Sequence, residues 1–221
     1  MWEIGGKIGL TGYMGDLNPV NPFQYNRLGF GISGKRNLNP TWGIRGIVSY
    51  IPVQWSGKSN IIFPNELEFQ NEIIEGAVLG EFNFKKFFSR GTFTPFTPYM
   101  FAGIGFHTHN PKLSIPAESH EDSIVLDKSG VPKNSSKSAF SLPFGAGIKY
   151  SLRNSLSIGA ELMYSLAFTN NIDGVEGYKL WPVENKGTQL LQNGSGYPYD
   201  GFMSASISFT YTFLSDACIW W

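Results

Sequence analysis

The residues able to do chemistry in this 221-residue chain are few: three histidines, one cysteine and a sparse set of carboxylates and cations. His107 and His109 stand two apart, so on a strand they share a face, and a metal ion is the ligand such a pair suggests. No cysteine or third histidine lies near them in the sequence, and a two-ligand set holds a zinc-type ion weakly. His120 falls in a polar stretch. Cys218 is the lone cysteine, so no internal disulfide framework exists. The remaining candidates are charged residues of mixed sign set within apolar tracts: Glu3, Lys7, Arg27, Arg45, Glu75, Glu81, Lys149 and Glu161.

The elements that hold these residues follow from the period of the apolar positions. Residues 141–168 read SLPFGAGIKYSLRNSLSIGAELMYSLAF. Leu142, Phe144, Ala146, Ile148, Tyr150 and Leu152 alternate with small or polar residues, and so do Leu156, Ile158, Ala160, Leu162, Tyr164, Leu166 and Phe168. Period two means a strand with one greasy face. These runs are longer than the roughly 5–6 residues of an ordinary strand. They match the roughly 9–11 residues that a tilted strand needs to cross a bilayer. Charged residues make up only 15% of the chain, against about 25% in a soluble domain. A lipid-facing exterior explains the shortfall, because charge is costly there.

Eight such segments are predicted: 2–13, 26–35, 41–53, 73–84, 96–107, 139–151, 155–168 and 202–213. None of their greasy rows contains a charge. The fold expected is all-β, an eight-stranded antiparallel up-and-down transmembrane barrel of the outer-membrane type, occupying 1–213 and followed by a tail, 214–221. An eight-stranded interior is just wide enough to be filled by side chains. Glu3, Lys7, Arg45, Glu75, Glu81, Lys149 and Glu161 are therefore expected to pair within a plugged lumen, with glycines on the same face leaving them room. The connections at 36–40, 85–95 and 152–154 are the shorter set, which suits periplasmic turns, while those at 14–25, 54–72, 108–138 and 169–201 suit external loops. Both termini then fall in the periplasm. Trp2 already opens a strand, so the chain reads as a mature form without a leader. A lipid hydrolase would need a Ser–His pair facing the bilayer, and His107 points inward by parity. No catalytic, cofactor or metal site is predicted, and a net charge of +0 implies no nucleic-acid partner.

WEIGGKIGLTGYMGDLN, FTPYMFAGIGF and SLPFGAGIKYSLRNSLSIGAELMYSLAFTNNIDGVEGY together resemble the PorG-type outer-membrane proteins of the Bacteroidota, with YMGDLN the most specific piece. The resemblance spans nearly the whole chain. It implies a small barrel without enzymatic activity, a component of the type IX secretion system. It further implies association with the periplasmic ring of PorK and PorN. It transfers no functional residue position by position.

The turn side is basic, with Lys35, Arg36, Lys85, Lys86, Arg90, Lys149 and Arg153 on or near it. A docking face for an acidic partner and attraction to anionic headgroups both fit. Turn 85–95, with Lys85, Lys86, Phe87, Phe88 and Arg90, combines cations with two aromatics that suit an interface anchor or a membrane girdle. In the tail, Cys218 suits a disulfide to a partner, and Trp220 and Trp221 suit an interface or the membrane belt. The alternative function is a stand-alone barrel that stabilises the envelope or adheres through its external loops.

Overall fold

The computed structural model describes residues 1–15, 18, 21–58, 66–87, 95–114, 137–153, 155–169, 172, 179–183, 187–191 and 199–213. Among them, eleven strands run in chain order: β1 (Trp2–Met14), β2 (Arg27–Asn37), β3 (Trp42–Lys58), β4 (Glu66–Asn83), β5 (Phe96–His109), β6 (Lys112–Ser114), β7 (Lys137–Arg153), β8 (Leu156–Ala167), β9 (Lys179–Val183), β10 (Gly187–Leu191) and β11 (Gly201–Phe213). Eight of them close a ring, β1–β2–β3–β4–β5–β7–β8–β11, with every neighbour antiparallel and β11 returning to β1. Closure leaves no unpaired barrel edge. Short β6 adds to β4 beyond β5, and β9 with β10 forms a separate hairpin. Both interrupt the long connections that the sequence left without structure.

The exterior is a continuous apolar band. Ile4, Ile8, Leu28, Ile32, Val48, Val78, Ile104, Ile148, Leu162 and Ile207 all point outward and are about half exposed or more. Along β5, Phe96 to Phe106 spans ten steps of roughly 3.3 Å, tilted, or about 25 Å of height, the height of the apolar band of a membrane barrel. Aromatic pairs mark its two borders. Trp42–Phe82 and Tyr211–Phe213 lie toward the turn end, with ring centroids 4.9 and 4.8 Å apart. Phe106–Phe140 and Phe144–Tyr164 lie toward the loop end, both at 5.5 Å.

Glycines on the inner face let neighbouring strands approach closely. A Cβ on Gly103 would meet Val78 O at 2.0 Å and Leu79 Cα at 2.8 Å. One on Gly9 would meet Ala205 O at 2.1 Å. Only glycine fits where the adjacent backbone itself comes so near.

Two expectations are corrected. β3 and β4 run to Lys58 and from Glu66, so the connection expected over 54–72 shrinks to 59–65. Here the alternation inverts: Val53, Trp55, Phe69 and Ile73 are buried inside, while Glu68, Gln70 and Glu72 lie outside. The strands continue past the apolar band, with polar side chains outside and an apolar cluster inside. The second correction concerns the lumen. Its loop-side half is built largely from apolar side chains, Tyr13, Ile51, Val53, Trp55, Phe69, Ile73, Met163, Ile172 and Phe202, with Asn71, Glu75, His107, His109 and Asp200 buried among them, and the ion-pair network lies in its turn-side half.

Candidate functional site

The lumen network is assembled from seven of the eight barrel strands. Glu3 and Lys35 are register partners on β1 and β2, and Lys35 Nζ lies 2.6 Å from Glu3 Oε2 and 3.1 Å from Glu81 Oε1. Lys149, on β7, pairs with the same Glu81 oxygen and sits 4.1 Å from the Tyr99 ring centroid. Arg45 Nη1 lies 2.8 Å from Glu161 Oε2 and 3.8 Å from Glu81 Oε2. Lys7 Nζ donates to Glu161 Oε1 at 3.1 Å, and the Tyr99 hydroxyl donates to Glu161 Oε2 at 3.0 Å. Asn37 donates to Glu3 at 2.5 Å, and Lys149 donates to Asn83 at 3.3 Å. The Arg45 guanidinium also lies 4.6 Å from the Phe101 ring centroid. Buried charge is tolerated only when so paired. The space left among these side chains is about 30 Å³, room for about two waters.

Glu75 does not join this network. Among the described residues no cation comes within ion-pair distance of it. Ser141 and Ser165 instead donate their hydroxyls to its two oxygens, at 2.7 and 3.2 Å. Its expected role in a charge pair is corrected, because its neighbours across the lumen at that height are serines. Sequence reasoning in turn missed Lys35. It shares the inner parity of Gly29, Gly31 and Ser33, and that parity was the available signal; the rim position expected for it came from ending β2 too early. Asn37, Asn83 and Tyr99 were missed as well, being uncharged.

Among the described residues, one apolar side chain is buried at each mouth of the barrel, Phe87 and Ile172. At the turn end, Phe87 is only 4% exposed. Its N–H donates to Pro40 O at 3.2 Å, and its ring centroid lies 6.0 Å from Lys149 Nζ. It lines the turn-side mouth, so the expectation of an exposed anchor or girdle residue is corrected at this position. The cause is the docking of turn 84–87 on turn 37–42, through Asn83 N–H to Thr41 O and Phe87 N–H to Pro40 O. At the loop end, Tyr13 donates to Asp200 Oδ1 at 2.8 Å, and Asp200 Oδ2 accepts from Ile172 N at 3.0 Å. Asn71 donates to Ile172 O at 2.6 Å. Ile172, fully buried, is thereby held over the apolar half of the lumen.

The basic surface expected at the turn end is narrower than its sequence count. Lys35 and Lys149 are consumed in the lumen. Arg36, Lys85 and Lys86 are exposed. Arg36 lies over Trp2 at 5.6 Å and Lys85 over Phe96 at 5.6 Å, cations drawn against the aromatic border. Phe88, Arg90, Cys218, Trp220, Trp221 and His120, and the side chain of Arg153, lie outside the described residues.

A closed, eight-stranded antiparallel barrel with an apolar exterior and a filled lumen defines the class. The chain belongs to the family described as Domain of unknown function (DUF6089), whose model matches residues 1–220. A comparison with curated proteins found no match. Among solved structures, the outer membrane protein OprG from Pseudomonas aeruginosa is similar at 12% identity and TM-score 0.48, over 96% of each chain. A major outer membrane protein from Thermus thermophilus is similar at 10% identity and TM-score 0.49, over 96% of this chain and 99% of that one. Ail, the attachment invasion locus protein of Yersinia pestis, is similar at 11% identity and TM-score 0.46, over 95% of this chain and 97% of that one. At these identities the likeness is one of fold.

Proposed function

We propose that this protein is a non-enzymatic outer-membrane barrel of the type IX secretion system. It tethers the periplasmic PorK/PorN ring to the membrane, with both termini and the short turns in the periplasm. The observation that carries the reading is the turn-side rim. Arg36, Lys85 and Lys86 are exposed there, while the nearby carboxylates Glu3 and Glu81 are turned into the lumen and neutralised. A rim that is cationic on the outside suits an acidic partner surface. The filled lumen favours a fixed anchor over a conduit. The tail 214–221, with Cys218, Trp220 and Trp221, follows Phe213 in the chain and belongs to the proposed contact, as do Phe88, Arg90 and Arg153. A disulfide through Cys218 would make the contact covalent.

Affinity purification from outer membranes tests this reading. Ring proteins are expected to co-purify, and Lys85→Glu/Lys86→Glu or deletion of 214–221 is expected to release them while the barrel stays folded in the membrane. Undiminished recovery from both variants overturns the tether. The second reading, a stand-alone barrel acting through its loops, draws on the β3–β4 hairpin, which rises past the apolar band with an outward acidic face of Glu68 and Glu72. Loss of cell adhesion on shortening that hairpin, with the ring intact, would favour it.

A further inference from the structure

His107 and His109 are buried, at 0% and 1% exposure, on the inner face of β5 above the charge network. Their rings lie 5.3 Å apart and are tilted by 33°. Among the described residues, none of their four ring nitrogens has a hydrogen-bond partner. The hydroxyls of Ser49, Ser204, Ser206 and Thr212 are unpartnered too, as are Arg45 Nε and Nη2 and Glu81 Oε2, but a hydroxyl can turn toward whatever is near, and Arg45 and Glu81 have other atoms in the charge network. A neutral imidazole presents one fixed lone pair and one fixed N–H, and two such rings side by side leave two lone pairs in a buried interior. Directly across the sheet stands Glu75, the register partner of His107. It is 1% exposed and, among the described residues, has no cation within ion-pair distance; its oxygens accept from Ser141 and Ser165 instead.

We infer that His107, His109 and Glu75 form a binding site for one divalent transition-metal ion of the cobalt–nickel–copper–zinc class. Two residues at i and i+2 on one strand face present imidazoles side by side, and imidazole suits these ions. A carboxylate from the neighbouring strand supplies the third ligand and the balancing charge. As the side chains stand, no three described His, Cys, Asp or Glu residues converge on one point. Glu75 is turned away, toward Gly105, where a Cβ would lie 3.1 Å from its Oε1 and 2.4 Å from Ser141 Oγ. The missing side chain at Gly105 gives the carboxylate the room to lie on the serines. Rotation of Glu75 toward its register partner His107 closes the site, and Ser141 or Ser165 is then placed to hold the free carboxylate oxygen in the manner of an outer-shell partner. The sequence hides this set because Glu75 and His107 meet only through the β4–β5 register.

The test uses the untagged full-length chain, folded into detergent micelles in the presence of Co²⁺, with visible absorption of the bound ion as the readout. One equivalent is expected to bind and to be displaced by Zn²⁺. His107→Gln and His109→Gln are each expected to weaken binding at least tenfold. Glu75→Gln should weaken it by a factor of about ten to a hundred, and His120→Ala/Cys218→Ser should leave it intact. Folding of every variant is checked by the heat-dependent gel shift of the barrel. No Co²⁺ signal from folded wild-type protein at millimolar metal overturns the inference, even if acid titration reports a His107-dependent change, since the occupant would then be a proton. Binding that survives the His107→Gln/His109→Gln double variant overturns it equally. Because the readout is metal binding by isolated barrel, failure here leaves the ring-tether reading standing, and the reverse.

Discussion

Arg45 and Glu161 meet at 2.8 Å in the lumen although their strands, β3 and β8, stand on opposite sides of the ring, four places apart in the order β3–β2–β1–β11–β8. Glu161 also receives Lys7 and Tyr99, so one carboxylate ties together β1, β3, β5 and β8. The lumen is thus spanned by a polar cross-brace.

Removing one end of that brace strands a buried charge. Arg45→Ala is expected to destabilise the barrel by about 3–5 kcal/mol, the range for breaking a buried pair. Equilibrium urea unfolding in phospholipid vesicles measures it, and a loss below about 1 kcal/mol would show that the pair contributes little to holding the barrel closed.

The exterior band makes a depth-dependent prediction. Ile8, flanked by Phe30 and Ile207 in the register of β1 with its neighbours, stands near the middle of the apolar rows. Ile8→Arg should cost about 2–4 kcal/mol in the same assay, and an arginine at the rim position Trp2 about 0–1 kcal/mol from its depth alone. Equal costs at the two depths would argue against hydrocarbon contact.

Close backbone approach sets a contrast between two glycines. Gly103→Val places its Cβ against main-chain atoms of Val78 and Leu79, which cannot move aside, and the folded fraction on a heat-modifiability gel should collapse. Gly34→Ala meets nothing within 4 Å and should fold as wild type does.

At the loop end, Tyr13→Phe removes the hydroxyl that donates to Asp200 at 2.8 Å. Removing one hydrogen bond to a buried carboxylate costs about 1–3 kcal/mol. Hydrogen exchange is the sharper readout: protection at the Ile172 amide, which donates to the same carboxylate, should fall, while protection in the turn-side half stays unchanged.

A filled lumen predicts that wild-type protein in liposomes passes no arabinose in a swelling assay. Swelling at the rate of a porin would contradict that filling.

The outward rows were legible in the sequence because lipid reads each strand locally. Parity along a single strand decides which side chains meet hydrocarbon, and Trp2 to Leu10 or Leu156 to Phe168 carry that pattern without reference to any other segment. The inward parity of Glu3, Lys7, Arg45 and Glu161 was determined in the same way. Which of them pair was decided only by closure of the ring, since Arg45 and Glu161 are 116 residues apart and Lys7 and Glu161 are 154 apart. Closure likewise left Glu75 among serines and brought it level with His107. It also turned Phe87 inward, through contacts between two turns that no strand pattern encodes. Past the membrane border the same alternation inverts its meaning, Val53 and Phe69 inside and Glu68 and Glu72 outside. Period two fixes that two faces exist; the surrounding medium and the opposite wall of the barrel decide what each face is for.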